Sequence, residues 1–199
     1  MSTRGALIIR RGGEEKAIDI RSDAYPSGAG VDIADLIKTT DMNEIFDILT
    51  VYDEWDMPDD GKESNTEETQ SFSYCRCRLA VKNKKRICVS PETADKVKNS
   101  LFCEYAYLID LDKDELMFFV GGQTKPQEGN PFGMEPVRIK WVCYDYYPCR
   151  LAAVFDLKYI MAARSEYIAE LMESAEKVKM KFIHSTEIFR KVNCFSRTD

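Results

Sequence analysis

Residues 2–30 read STRGALIIRRGGEEKAIDIRSDAYPSGAG, and this stretch decides how the rest of the chain is understood. Ala6 to Arg10 is a short apolar run. Gly12-Gly13 is a dipeptide that tolerates positive φ, and residues 14–21 alternate with a period near two across Lys16, Ala17, Ile18, Asp19 and Ile20. Two such runs around such a dipeptide predict a β-hairpin. The hairpin delivers the chain into Asp23-Ala24-Tyr25-Pro26-Ser27-Gly28-Ala29-Gly30. A loop this rich in residues with special backbone preferences is where a rigid scaffold would carry a site.

Downstream, apolar residues at Val31, Ala34, Leu36 and Ile37 predict a short helix over 31–38. Asp41 with Glu44 matches a D-x-x-E capping box, and Met42, Ile45, Phe46, Leu49 and Tyr52 recur at helical spacing, predicting a helix over 42–52 with one face on a sheet. Residues 53–70 then change character. Eight acids stand there against one base, Lys62, with Pro58, Gly61 and Asn65 among them, which predicts an acidic loop. Residues 71–81 fit either a strand or a helix, the Leu79-Ala80-Val81 run after the arginines favouring helix; a basic patch over 82–86, a short strand at Ile87-Cys88-Val89, and a helix opened by Ser90-Pro91-Glu92 and running to Asn99 follow.

Residues 102–110 and 116–120 predict a second hairpin about a polar turn. The seven Gly and Pro residues between Gly121 and Pro136 predict a long loop, and 137–144 and 151–155 read as strands. From Asp156 to Val192 the pattern is helical, with Leu157, Met161, Arg164, Ile168, Leu171, Ala175, Val178, Phe182, Ser185, Phe189 and Val192 alternating spacings of four and three. A continuous helix there would run about 55 Å. A break at His184-Ser185-Thr186 is therefore expected, with Ser185 or Thr186 capping a second helix. The expected architecture is α+β: an antiparallel sheet of two hairpins, helices packed on it, and a long C-terminal helix or helix pair. Residues 1–155 would form the α+β domain, and 156–199 a helical segment packed on it or on a partner subunit, as in a homodimer.

The totals narrow the classes. A chain of 199 residues is long enough for a self-sufficient core. Its net charge of -6 argues against direct binding to duplex DNA, which needs a basic surface, and suits docking on a basic protein or nucleoprotein. No charged-then-apolar leader opens it and no apolar run approaches membrane-spanning length, so a cytoplasmic protein without membrane contact is expected. Seven cysteines, odd in number and mostly in strand-like apolar runs, suit reduced thiols.

Candidate chemistry is sparse. Arg4 and Arg21, from neighbouring strands, could set guanidinium forks beside Asp23 and Tyr25 and hold a phosphate or carboxylate. The competing reading has Asp23 cap the turn while Tyr25 packs. Ser2 would head the chain after loss of Met1, as an N-terminal nucleophile does. Asp110-x-Asp112-x-Asp114-Glu115 opens like a calcium loop but has Glu115 where the turn glycine belongs and Gly121 where the last glutamate belongs, so the EF-hand reading fails. Asp23 with Asp110 or Asp112 remains a possible Mg²⁺-assisted hydrolase set. Cys75-x-Cys77 lacks a second pair, no other metal centre is expected, and the only histidine, His184, excludes a histidine-based triad.

Thr3-Arg4-Gly5, with Asp23, Tyr25, Pro26, Gly28 and Gly30 after it, resembles a family of small proteins from phages, mobile elements and some fungi, which open with T-R-G and continue beyond the first hairpin with a pattern like N-H-x-D-S-Y-P-x-G-L-G. The family's histidine is Arg21 here, its asparagine Ile20 and its second leucine Ala29. A family activity resting on that histidine would be lost. The resemblance implies an α+β fold and a mobile-element origin. By analogy with small acidic phage proteins, it points to an anti-CRISPR-like inhibitor of a host defence nuclease. In that role Asp53, Glu54, Asp56, Asp59 and Asp60, with Arg21 and Tyr25, would meet the partner's basic nucleic-acid channel. The alternative is a small hydrolase, either a metal-dependent RNA nuclease or phosphohydrolase using Asp23, Tyr25, Arg4, Asp110 and Asp112, or an N-terminal-nucleophile amidase using Ser2.

Overall fold

A computed structural model describes residues 3–51, 66–68, 71–137, 145–177 and 182–184, with the backbone alone for 66–68 and 182–184. The first apolar run becomes strand β1 (Gly5–Arg11) and the alternating segment β2 (Glu14–Ile20), antiparallel with Gly5 opposite Ile20 and Arg11 opposite Glu14. Gly12 and Gly13 both take positive φ, 59° and 81°, which lets a two-residue turn match the twist of the strands. A π-helical turn (Pro26–Gly30) leads without interruption into α1 (Val31–Thr39).

Helix α2 (Met42–Ile48) starts on Asp41, whose carboxylate accepts from the Asn43 N–H at 2.8 Å. It ends four residues before the expected Tyr52. Leu49 instead opens β3 (Leu49–Val51), so strand pairing overrides a helical period that the buried Leu49 also satisfies. The chain re-enters as β4 (Thr66–Glu68), continues through α3 (Tyr74–Asn83), and forms β5 (Arg86–Val89), with which β3 and β4 both pair in parallel. Helix α4 (Glu92–Asp95) runs on as a 3-10 turn (Lys96–Lys98). The second hairpin is β6 (Tyr105–Asp110) and β7 (Glu115–Val120), beside which lies β8 (Arg150–Asp156). After it come α5 (Leu157–Ala162), α6 (Ser165–Lys177) and a short strand, β9 (Phe182–His184).

The chain is α+β, with a six-stranded sheet ordered β2-β1-β6-β7-β8-β9. Each hairpin is antiparallel as expected, but the two join through a parallel pair, Gly5 beside Tyr105 and Arg10 beside Asp110, and β9 lies parallel to β8. The sheet is therefore mixed rather than wholly antiparallel.

Alternation sorts the strands into two faces. Leu7, Ile9, Tyr107, Ile109 and Phe118 turn toward the helices, while Ala6, Ile8, Leu108 and Phe119 meet Val97, Cys149 and Phe132 on the opposite side. The 121–136 loop covers this second face with side-chain amides in place of a strand. The Gln127 amide donates to the Leu151 carbonyl at 2.9 Å and accepts the Leu151 N–H at 2.8 Å, and Asn130 donates to the Cys149 carbonyl at 2.9 Å. Of the strand expected over 137–144, only Val137 is described, in a single bridge to Tyr146.

The helical C-terminal pattern breaks earlier than expected. Ala163 is extended, and Ser165, 3% exposed, receives a hydrogen bond from Lys38 at 2.7 Å and donates to Asp35, which fixes the start of α6 against α1. Met161, on the expected seam, is exposed, whereas Ile168, Met172 and Ala175 are buried. His184 lies in β9, so the seam does not run as helix through it, and the Ser185-Thr186 cap lies outside the described residues.

Candidate functional site

The hairpin ends hold nearly all the proposed chemistry, and they hold it at opposite ends of the sheet. At the turn end, Asp110 is 1% exposed and fully engaged. It pairs with Arg10 at 3.1 Å and Lys113 at 3.7 Å, and its other oxygen accepts the Asp112 and Lys113 N–H groups at 3.2 Å each. Glu15, opposite Arg10 in the same hairpin, grips the guanidinium as well. Asp112 accepts from the Gly12 and Gly13 N–H groups at 2.9 and 3.4 Å, tying one turn to the other. Nearby, Arg11 pairs with Asp47 and holds its carboxyl below the ordinary range.

Asp23 comes after β2 at the far end, six residues of β1 away, roughly 20 Å at strand rise. The structure therefore does not bring Asp23 together with Asp110 and Asp112, and the two-ended hydrolase set is not assembled. Among the described residues, no group of three or more His, Cys, Asp or Glu is placed to hold a metal.

The 23–30 loop is built into the fold. Asp23 takes φ 55°, its carbonyl accepts the Ala29 N–H at 2.8 Å, and its carboxylate accepts from the Tyr25 hydroxyl at 3.2 Å. The Asp23 charge raises the Tyr25 pKa. A Cβ at Gly28 would stand 2.4 Å from the Asp23 carbonyl oxygen, so only glycine closes this turn. Tyr107, wholly buried, donates from its hydroxyl to the Ala24 carbonyl at 2.7 Å, and the turn packs on α6. Asp23 and Tyr25 still line an open cleft of about 390 Å³ with Asp32 and Phe72. Burial, aided by Asp35, raises the Asp32 pKa.

Arg4 and Arg21 do meet, but not around Asp23 and Tyr25. They line a separate cleft of about 470 Å³ with Asp19, Lys96 and Phe102. Arg4 is held just ahead of β1, where its carbonyl accepts the Glu104 and Tyr105 N–H groups at 2.9 and 3.3 Å. Asp19 stands at the end of β2, bound to Lys96 at 2.9 Å and to Arg21 at 3.4 Å. Phe102 is 44% exposed, its N–H tied to the Asn99 carbonyl at 3.1 Å. Sequence reasoning missed Asp19, Lys96 and Phe102. Lys96 arrives because α4 packs on β2, and Phe102 because β6 is laid parallel to β1, and neither contact leaves a local pattern.

Ser2 and the acids Asp53, Glu54, Asp56, Asp59 and Asp60 lie outside the described residues. No helix among the described residues is long and apolar enough to cross a membrane. Comparison of the chain with protein-family models, with curated proteins and with solved structures returns no match.

Proposed function

We propose that this protein works by binding, as an accessory factor of a phage or mobile element that inhibits a host defence nuclease by occupying its basic nucleic-acid channel. The observation that carries the reading is where the net charge resides. The fourteen residues between β3 and β4 contain Asp53, Glu54, Asp56, Asp59, Asp60 and Glu63 against Lys62 alone, a net charge of -5 out of -6 for the whole chain.

That stretch leaves and re-enters a fixed frame. β3 ends beside Val89 and β4 begins beside Arg86, both on the same strand β5, whose Ile87 is wholly buried. Carboxylates concentrated between two anchored strands can substitute for a run of phosphates, and complementary charge speeds and selects such encounters. The carboxylates offered for catalysis support the same reading from the other side, since Asp110 and Asp112 are occupied in holding turns.

The test is competition. The purified chain should displace DNA from an RNA-guided nuclease of its host, more weakly at high salt, and replacing Asp53, Asp56, Asp59 and Asp60 together by Asn should weaken this roughly tenfold or more. An unchanged affinity in the four-residue variant, or turnover of RNA with Mg²⁺ by the chain itself, overturns the reading.

A further inference from the structure

Where the junction of α1 and α2 faces α3, the fold leaves an open cleft of about 520 Å³, within the roughly 300–1,000 Å³ of small-ligand sites. Its two walls carry opposite charge. Asp41 and Glu44 come from the start of α2, while Arg78 and Lys82 stand one turn apart on the same face of α3. Among the described residues, none of these four forms an ion pair. Arg78 instead lies over the Tyr74 ring, 5.3 Å from its centre, and donates to the Tyr74 hydroxyl at 2.9 Å. Asp41 uses one carboxylate oxygen, Oδ1, for both of its bonds to Asn43. The rest of the lining is largely apolar, with Leu79 left 50% exposed and Val81 and Tyr74 beside it in the cleft. Thr40 lines it too, and its hydroxyl is shut from solvent with no hydrogen-bond partner, a donor the free protein leaves unused.

From unpaired walls of opposite charge about an apolar strip we infer a binding site for a short apolar peptide, two or three residues long, with both ends free. The terminal ammonium meets Asp41 and Glu44, and the terminal carboxylate meets Lys82 and the guanidinium fork of Arg78, whose planar donors match a carboxylate. Its side chains cover Leu79 and Val81 and remove them from water. A ligand of one sign, such as phosphate or a diamine, would satisfy one wall and be repelled by the other. A free amino acid carries both charges on one carbon and leaves most of the volume empty. Two or three extended residues separate the charges by roughly 7–11 Å, which lets one ligand reach both walls.

The test is calorimetric titration of the full chain with Ala-Leu and Ala-Leu-Ala, compared with their N-acetyl and C-terminal amide forms and with L-leucine. At least one of the two free peptides should saturate and bind tenfold or more tighter than either of its blocked forms or L-leucine. Arg78→Gln/Lys82→Gln should abolish the preference over the amide and keep the preference over the N-acetyl form. Asp41→Asn/Glu44→Gln, in which asparagine can still cap α2, should do the reverse. All four side chains are exposed, and unchanged circular dichroism checks that the variants fold. Cys75, exposed in the same lining, reports the place of binding: saturating peptide should slow its alkylation by iodoacetamide, read at that residue by mass spectrometry. The assignment is overturned if neither peptide saturates by about 10 mM, if a blocked form or L-leucine binds equally well, if either double variant keeps the preference it should lose, or if bound peptide leaves the alkylation of Cys75 unchanged.

Discussion

The two ends of the β1–β2 hairpin use the same kinds of side chain to opposite purpose. At the turn end, Arg10 is shared by Glu15 and Asp110, and Asp110 also receives Lys113 and two backbone N–H groups, so cations and carboxylates answer one another and little is left to offer a ligand. At the open end, Arg4, Arg21, Lys96, Asp19 and Phe102 line an exposed cleft, in which Asp19 pairs with Lys96 at 2.9 Å and with Arg21 at 3.4 Å. Charge that is matched and buried holds structure together. Charge paired at an exposed surface is screened by solvent and contributes little to the fold.

The comparison breaks most readily at Asp110. Asp110→Ala would leave Arg10 half-buried without one of its two carboxylates and two turn N–H groups without their acceptor, so a loss of about 3 kcal/mol is expected in urea unfolding monitored by circular dichroism. A loss below about 1 kcal/mol would mean that the turn end is not held by its charges. Asp112→Ala removes only the exposed clasp on Gly12 and Gly13 and should cost about 0.5–1 kcal/mol by the same measurement. A cost as large as that of Asp110→Ala would show that the contact between the turns, rather than the buried pair, does the holding.

How much of this fold the sequence announces depends on the range of each contact. Both hairpins are legible, because alternation and the Gly12-Gly13 turn are local, and the α1 helix is legible for the same reason; α3 is only half legible, because its residues fit a strand as well as a helix. The parallel joining of β1 to β6 is not, since it pairs residues a hundred positions apart with nothing in either strand to name the other. The end of α2 is hidden because Leu49 satisfies both a helical face and a buried strand position. The break before α6 is hidden because it depends on Asp35 and Lys38 reaching Ser165, without the usual glycine or proline. Arg4 and Arg21 are foreseeable as a pair because the hairpin sets them side by side. Their partners are not, because Lys96 and Phe102 come from elements that only the tertiary packing carries there.

The smallest expected effect is the one that sharpens the contrast most. If the exposed charges of the open end do little for the fold, removing two of them should not harm it. Arg21→Ala gives up, among its contacts, an exposed pairing with Asp19 at 3.4 Å that solvent largely screens, and Asp19 keeps Lys96 at 2.9 Å. Arg4→Ala leaves intact the carbonyl through which residue 4 holds the start of β6, because that contact belongs to the backbone. The double variant Arg4→Ala/Arg21→Ala should therefore unfold within about 0.5 kcal/mol of the parent, and the difference should shrink further in high salt, where exposed pairs count for less. A loss comparable to that of Asp110→Ala, persisting in high salt, would place these arginines among the structural charges and erase the distinction between the two ends.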